Sequence, residues 1–144
     1  MPTPLLTHRL DVRFRDCDAF GHVNNAVYFT YFEQARASLW KTLGLSGFRD
    51  TDTSGVSVIL AHAECDFRAP ARFGDVLDVR LALEAIGRTS FTYGYEIISV
   101  PDGRTIATGR TVQVIFDYAR RTPVEISADL RDKLSEAPSG STTL

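Results

Sequence analysis

Residues that build disulfide scaffolds and metal centres are scarce in this sequence of 144 residues. It holds two cysteines, Cys17 and Cys65, and three histidines, His8, His22 and His62. Two cysteines are too few for a disulfide framework, and reduced thiols are the expected state. The histidines lack ligand-like spacing, so no metal site is expected. Neither sign of charge dominates. Sixteen basic and 18 acidic side chains leave a formal net charge of −2, which gives no global attraction to nucleic acid or anionic membranes. No stretch approaches 18 uninterrupted apolar residues. The N-terminal MPTPLLTHRLDVRF lacks the basic region, apolar run and small-residue cleavage site of a secretory signal. A soluble cytoplasmic protein without a nucleic-acid or membrane partner is expected. Several catalytic patterns are missing too: Gly44-Leu45-Ser46-Gly47 has the wrong spacing for a G-x-S-x-G elbow, and no G-x-G-x-x-G or P-loop occurs.

What is present is an ordinary globular composition, 44% hydrophobic and 24% charged, enough for one core. Leu10, Val12 and Phe14 alternate with Asp11, Arg13 and Arg15, predicting a half-buried strand that stops at Asp16. Asp16 to Asn24 is polar, contains Gly21 and reads as a turn. Tyr28, Tyr31, Phe32, Ala35, Leu39 and Leu43 then recur at spacings of three and four. They predict a helix from about Asn25 to Leu43, capped by Asn24 before it and Gly44 after it. Glu33, Arg36 and Lys41 fall off that stripe. The stripe is aromatic and wide enough to be embraced by a sheet.

A polar loop is expected over residues 45–55, and strands after it. These are Val56–Phe67, Val76–Ala85, Ser90–Ser99 and Thr105–Phe116, with turns at Gly87-Arg88 and Pro101-Asp102-Gly103. In the last strand Val112, Val114 and Phe116 are in phase. Ala128–Leu134 reads as a short helical turn, and 136–144 as a disordered tail. Strands without intervening helices exclude an alternating parallel fold. The expectation is α+β: one domain over 1–135, with an antiparallel sheet of about five strands wrapped around one long helix.

Asp16 and Asp18 precede that helix directly. The first N–H groups of a helix lack intrahelical partners, and its dipole is positive there. Such an end can bind a carbonyl oxygen and stabilise the oxyanion formed on attack. A carboxylate beside it can attack the carbonyl or deprotonate a water. Acyl transfer is thus possible without metal or serine, although Asp-x-Asp before a helix more often describes a turn with solvated charges.

The pattern D-x-D-x-x-G-H-V-N-N-x-x-Y, carried by Asp16, Asp18, Gly21, His22, Val23, Asn24, Asn25 and Tyr28, resembles the signature of the 4-hydroxybenzoyl-CoA thioesterase family of hotdog proteins. Tyr31, Glu33, Ala35 and Arg36 continue the similarity, and Pro70, Gly74 and Asp75 resemble that family's P-x-x-x-G-D turn. The resemblance spans roughly residues 8 to 126, and Pro123-Val-Glu-Ile lacks a second proline often seen there. It implies the hotdog fold and hydrolysis of an acyl-CoA. Asp18 would be the catalytic carboxylate, and the backbone at Asn25 the oxyanion donor. Asp16, Gly21, His22 and Asn24 would be supporting turn residues, with Gly21 allowing close approach of substrate and His22 and Asn24 holding the turn by hydrogen bonds. No cofactor is implied, because CoA is part of the substrate. A homo-oligomer is, as a dimer or as a homotetramer built from dimers, with sites at the subunit interface. Tyr28, Glu64, Arg68, Arg72 and Arg88 are candidate substrate contacts, the arginines because they suit CoA phosphates. A hotdog hydratase or dehydratase, and a non-catalytic acyl-CoA-binding module, are the alternative readings.

Overall fold

The structure is a computed structural model and describes residues 2–45, 56–136 and 142–143. The expected loop therefore lies outside the described residues from 46 onward, as do 137–141 and 144 of the expected tail.

In chain order the elements are β1 (Leu6–Asp11), a 3-10 turn (Phe14–Asp16), α1 (Val27–Thr42), β2 (Val56–Phe67), β3 (Val76–Ile86), β4 (Ser90–Ser99), β5 (Thr105–Asp117), the two-residue β6 (Thr122–Pro123), α2 (Ala128–Ser135) and the two-residue β7 (Thr142–Thr143). The sheet runs β2-β5-β4-β3-β1 with every long pair antiparallel. β7 lies parallel beyond β1, and β6 pairs with β5. The α+β expectation holds, with five long strands. β2 closes one edge of the sheet.

α1 is held by packing rather than propensity. Its first six residues, VYFTYF, are weak helix formers, each costing up to about 0.7 kcal/mol relative to alanine. Burial of an apolar side chain contributes about 1.5–3 kcal/mol, and Tyr28, Tyr31, Phe32, Ala35 and Leu39 are all buried. Phe91, Tyr93, Tyr95 and Ile97 of β4 are buried in phase, as are Leu77, Val79 and Leu81 of β3. Phe32 stacks on Tyr95 with ring centroids 4.3 Å apart. The close approach also requires Gly109 on β5, where a Cβ would collide with the Phe32 ring and the Glu64 carbonyl.

Four local expectations are corrected. The first strand ends at Asp11, and Phe14 is 78% exposed because the chain turns there into the 3-10 segment. The helix cap is Ala26, not Asn24, which lies two residues earlier and whose side chain instead accepts a bond from the Ala26 N–H at 3.0 Å. On β5 the buried face is Thr111, Gln113 and Ile115, whereas Val112, Val114 and Phe116 are only half-buried. The polar pair tolerates burial because Thr111 bonds Tyr95 and Gln113 bonds both Thr111 and the Phe91 carbonyl. Arg36, expected off the apolar stripe, is buried.

Candidate active site

The segment before α1 is a compact loop closed by an isolated antiparallel bridge between Cys17 and Val23. The Asp18 N–H donates to the His22 carbonyl at 3.0 Å, and the Gly21 N–H donates to the Asp18 carbonyl at 3.0 Å. Gly21 has φ +86°, a left-handed conformation that costs other residues about 1–2 kcal/mol. Asp18 Oδ1 accepts the Phe20 N–H at 2.9 Å, which orients the carboxylate from its own turn.

Asp16 is the buried member of the aspartate pair, 3% exposed. Its carboxylate accepts the Arg13 N–H at 2.9 Å, the Arg13 guanidinium at 3.0 Å and the Tyr31 hydroxyl at 2.8 Å. Burial pushes its pKa up, but these bonds from Arg13 and Tyr31 outweigh burial and hold it below the ordinary value. The Asp16 carbonyl accepts the Asn24 N–H at 2.9 Å. Asp16 therefore anchors both ends of the loop while its charge is fully engaged.

The second motif locks against the first. The Val23 N–H donates to the Ala71 carbonyl at 2.8 Å, the Gly74 N–H to the Val12 carbonyl at 3.1 Å, and the Val12 N–H to the Asp75 carbonyl at 2.8 Å. Asp75 Oδ2 accepts the Arg72 N–H at 2.9 Å. The Tyr28 hydroxyl accepts the Ala71 N–H, and burial raises its pKa.

Between the two segments lies a cavity of about 570 Å³. Of the expected residues it is lined by Asp18, His22, Asn24, Asn25, Tyr28 and Arg68, joined by Val23 and by Phe67, Ala69 and Pro70. Tyr28 and Phe67 form one wall, their ring centroids 5.5 Å apart. Asn25 sits two residues before α1, and its N–H has no hydrogen-bond partner among the described residues. Cys65 of β2 is a free thiol that burial pushes up to about 11, so it stays protonated at neutral pH. No group of three or more potential metal ligands occurs among the described residues.

His22 and the remaining expected residues play other parts than those expected. Gly21 shapes the loop but does not line the cavity. The His22 imidazole stacks on Phe20, and the loop is held by its carbonyl instead. The exposed Arg72 contributes its backbone N–H to the second turn. Glu64 faces a different surface depression and pairs with His62 at 3.2 Å and Arg110 at 3.9 Å. Arg88 belongs to the β3–β4 turn, where Ser90 pairs with Val114, whereas Phe67 at the cavity pairs with Ala107. Those seven residues of β5 separate Arg88 from the cavity by about 23 Å. Sequence reasoning missed Tyr31 as the hydrogen-bond partner of Asp16. Tyr31 read as one more core aromatic.

A family model described as the thioesterase-like superfamily matches residues 12–134. The chain is 26% identical over 129 residues to the long-chain acyl-CoA thioesterase FadM of Escherichia coli, covering 89% of this chain and 96% of that protein. It is 29% identical over 126 residues to the 1,4-dihydroxy-2-naphthoyl-CoA hydrolase of Synechococcus elongatus, covering 85% and 90%. The crystal structure of a 1,4-dihydroxy-2-naphthoyl-CoA thioesterase from Synechocystis superposes with a TM-score of 0.85 at 24% identity, covering 91% of this chain and 96% of that one. That likeness concerns the fold.

Proposed function

The chain belongs to the thioesterase-like superfamily and is a hotdog-fold thioester hydrolase acting on acyl-CoA; from that premise we propose that Asp18 and the backbone of Asn25 carry the reaction. The thioester carbonyl oxygen takes the open Asn25 N–H, at the positive end of α1. The Asp18 carboxylate drives attack on the carbonyl carbon, itself or through a water that it deprotonates. The carbon–sulfur bond breaks, water supplies the hydroxyl, and the products are the carboxylic acid and the CoA thiol. No cofactor takes part. The observation that carries this reading is the meeting of a turn-oriented carboxylate and an unclaimed N–H on one cavity. Arg68 on the same rim suits a phosphate of the CoA arm.

The test is Asp18→Asn assayed against an acyl-CoA panel with detection of free thiol. Turnover should fall by roughly 10²–10⁴-fold with the fold intact. Hydrolysis near the wild-type rate would sink the assignment.

The protein is further proposed to be a cytoplasmic homo-oligomer, with two β2 edges pairing and dimers joining into a tetramer. Supporting this, β2 is a 12-residue edge strand exposing Ile59, Leu60 and Phe67. A long apolar edge of that kind is ordinarily covered. Among the described residues no helix is long and apolar enough to cross a membrane. Light scattering on the purified protein tests the oligomer, and a monomer at micromolar concentration would refute it.

A further inference from the structure

The three most exposed large apolar side chains among the described residues are phenylalanines on the two segments that build the catalytic turn: Phe20 at 82%, Phe14 at 78% and Phe73 at 63%. Phe20 stacks on His22, which lines the cavity, so bound substrate is a sufficient cover for it. Phe14 and Phe73 line neither that cavity nor the depression at Glu64. They meet each other instead, edge to face, with ring centroids 5.9 Å apart. Phe14 opens the 3-10 turn, and Phe73 sits in the turn closed by the bond from the Arg72 N–H to Asp75. Bonds from Val12 to both Gly74 and Asp75 hold the two turns side by side. The two rings thus form a fixed, projecting tip.

The collar of the tip is charged. Arg13 pairs with the buried Asp16. Arg15 and Arg72 are exposed and form no ion pair among the described residues. Asp11 at the end of β1 and Asp75 border the tip as well, so the collar is close to neutral overall. Net charge and long apolar runs, the signals that argued against a membrane partner, do not register a tip of two side chains.

Phenylalanine has no polar atom, so an exposed ring gains only by leaving water. At about 150–250 Å² per aromatic side chain, these two leave roughly 200–350 Å² bare. A specific protein interface takes about 800 Å² from each partner, and charged residues surround the rings where its apolar core would have to continue. A bilayer needs less. Its soft interface closes around a projecting tip, the rings enter the acyl boundary, and the arginines meet lipid phosphates.

We propose that Phe14 and Phe73 form a docking tip for a phospholipid bilayer surface, with Arg15 and Arg72 on the phosphates. Asp18 follows two residues after the 3-10 turn, and Ala71, beside Arg72, bonds Val23 of the cavity wall. Docking therefore holds the cavity close to the layer in which amphiphilic thioesters collect.

The test is co-sedimentation of the purified protein with vesicles of mixed phosphatidylcholine and phosphatidylglycerol. The wild type should pellet with the vesicles. Phe14→Ser and Phe73→Ser should each weaken binding by about tenfold, and Arg15→Gln and Arg72→Gln by about fivefold each. Both rings are exposed, so the polar replacements leave the core intact. Emission from the Phe14→Trp variant should be quenched by vesicles brominated along their acyl chains, beyond any change in Trp40 of the wild type. No pelleting of the wild type, equal pelleting of Phe14→Ser/Phe73→Ser, or no added quenching would overturn the proposal. A smaller assembly for Phe14→Ser/Phe73→Ser in light scattering without lipid would also overturn it, because the tip would then be a contact between copies of the chain. None of these measurements reads hydrolysis, so failure of the docking and failure of the catalytic reading are told apart.

Discussion

The Tyr31 hydroxyl donates a 2.8 Å hydrogen bond to Oδ2 of Asp16, across 15 residues of sequence. It ties the second turn of α1 to the loop that carries Asp18. Burial raises the Tyr31 pKa well above that of a free phenol, with the bond to Asp16 adding to the effect, so the tyrosine remains the donor at every working pH. Tyr31→Phe deletes the donor and leaves a buried carboxylate one bond short. Urea denaturation should show a loss of about 1–3 kcal/mol. Steady-state kinetics should show kcat falling more than KM rises, because the shifted loop misplaces Asp18.

Acid should find the same anchor. The Asp16 pKa is held below its ordinary value of 3.8, despite burial, by Arg13 and Tyr31. A depressed folded pKa contributes stability that is fully present above the unfolded value and lost as pH falls through the folded one. Thermal melts from pH 7 to about pH 3 should therefore show a declining midpoint in the wild type. Asp16→Asn should start lower at pH 7 and decline less, and parallel curves would show that Asp16 is not the titrating anchor.

If the oxyanion donor is the backbone of Asn25, its side chain is dispensable. Asn25→Ala keeps the N–H and should cost far less than the roughly 10²–10³-fold in kcat that follows deletion of an oxyanion donor. A loss of that full size, with an unchanged circular dichroism spectrum, would move the role to the carboxamide.

Gly109 lets the Phe32 ring lie against β5, and a Cβ would meet both that ring and the Glu64 carbonyl. Gly109→Ala should destabilise by about 1–3 kcal/mol, as overpacking does. The double variant Gly109→Ala/Phe32→Leu should recover part of the loss in the same denaturation assay, since the collision is then relieved.

The sequence by itself determined the helix stripe, the strand segments and the two loop motifs, because each is a local matter of side-chain period or turn chemistry. Tyr28 to Leu39 can bury only one side of a helix, and Gly21 and Gly74 take left-handed conformations in their turns. The placing of Asp18, Asn25 and Tyr28 around one cavity was also within reach, since they are neighbours in the chain. Tertiary structure decided what alternation leaves undetermined. A period of two on β5 offers two faces, and the sheet buried the one with Thr111 and Gln113 because hydrogen bonds from Tyr95 and to Phe91 were available only there. Strand alternation turned Glu64 to a different depression from Phe67, three residues on, and the sheet carried Arg88 to the far end of β5, although both were candidate substrate contacts in the chain. The sheet also drew Arg36 under the β2 edge, where a charge expected in solvent became a buried donor with bonds to spare.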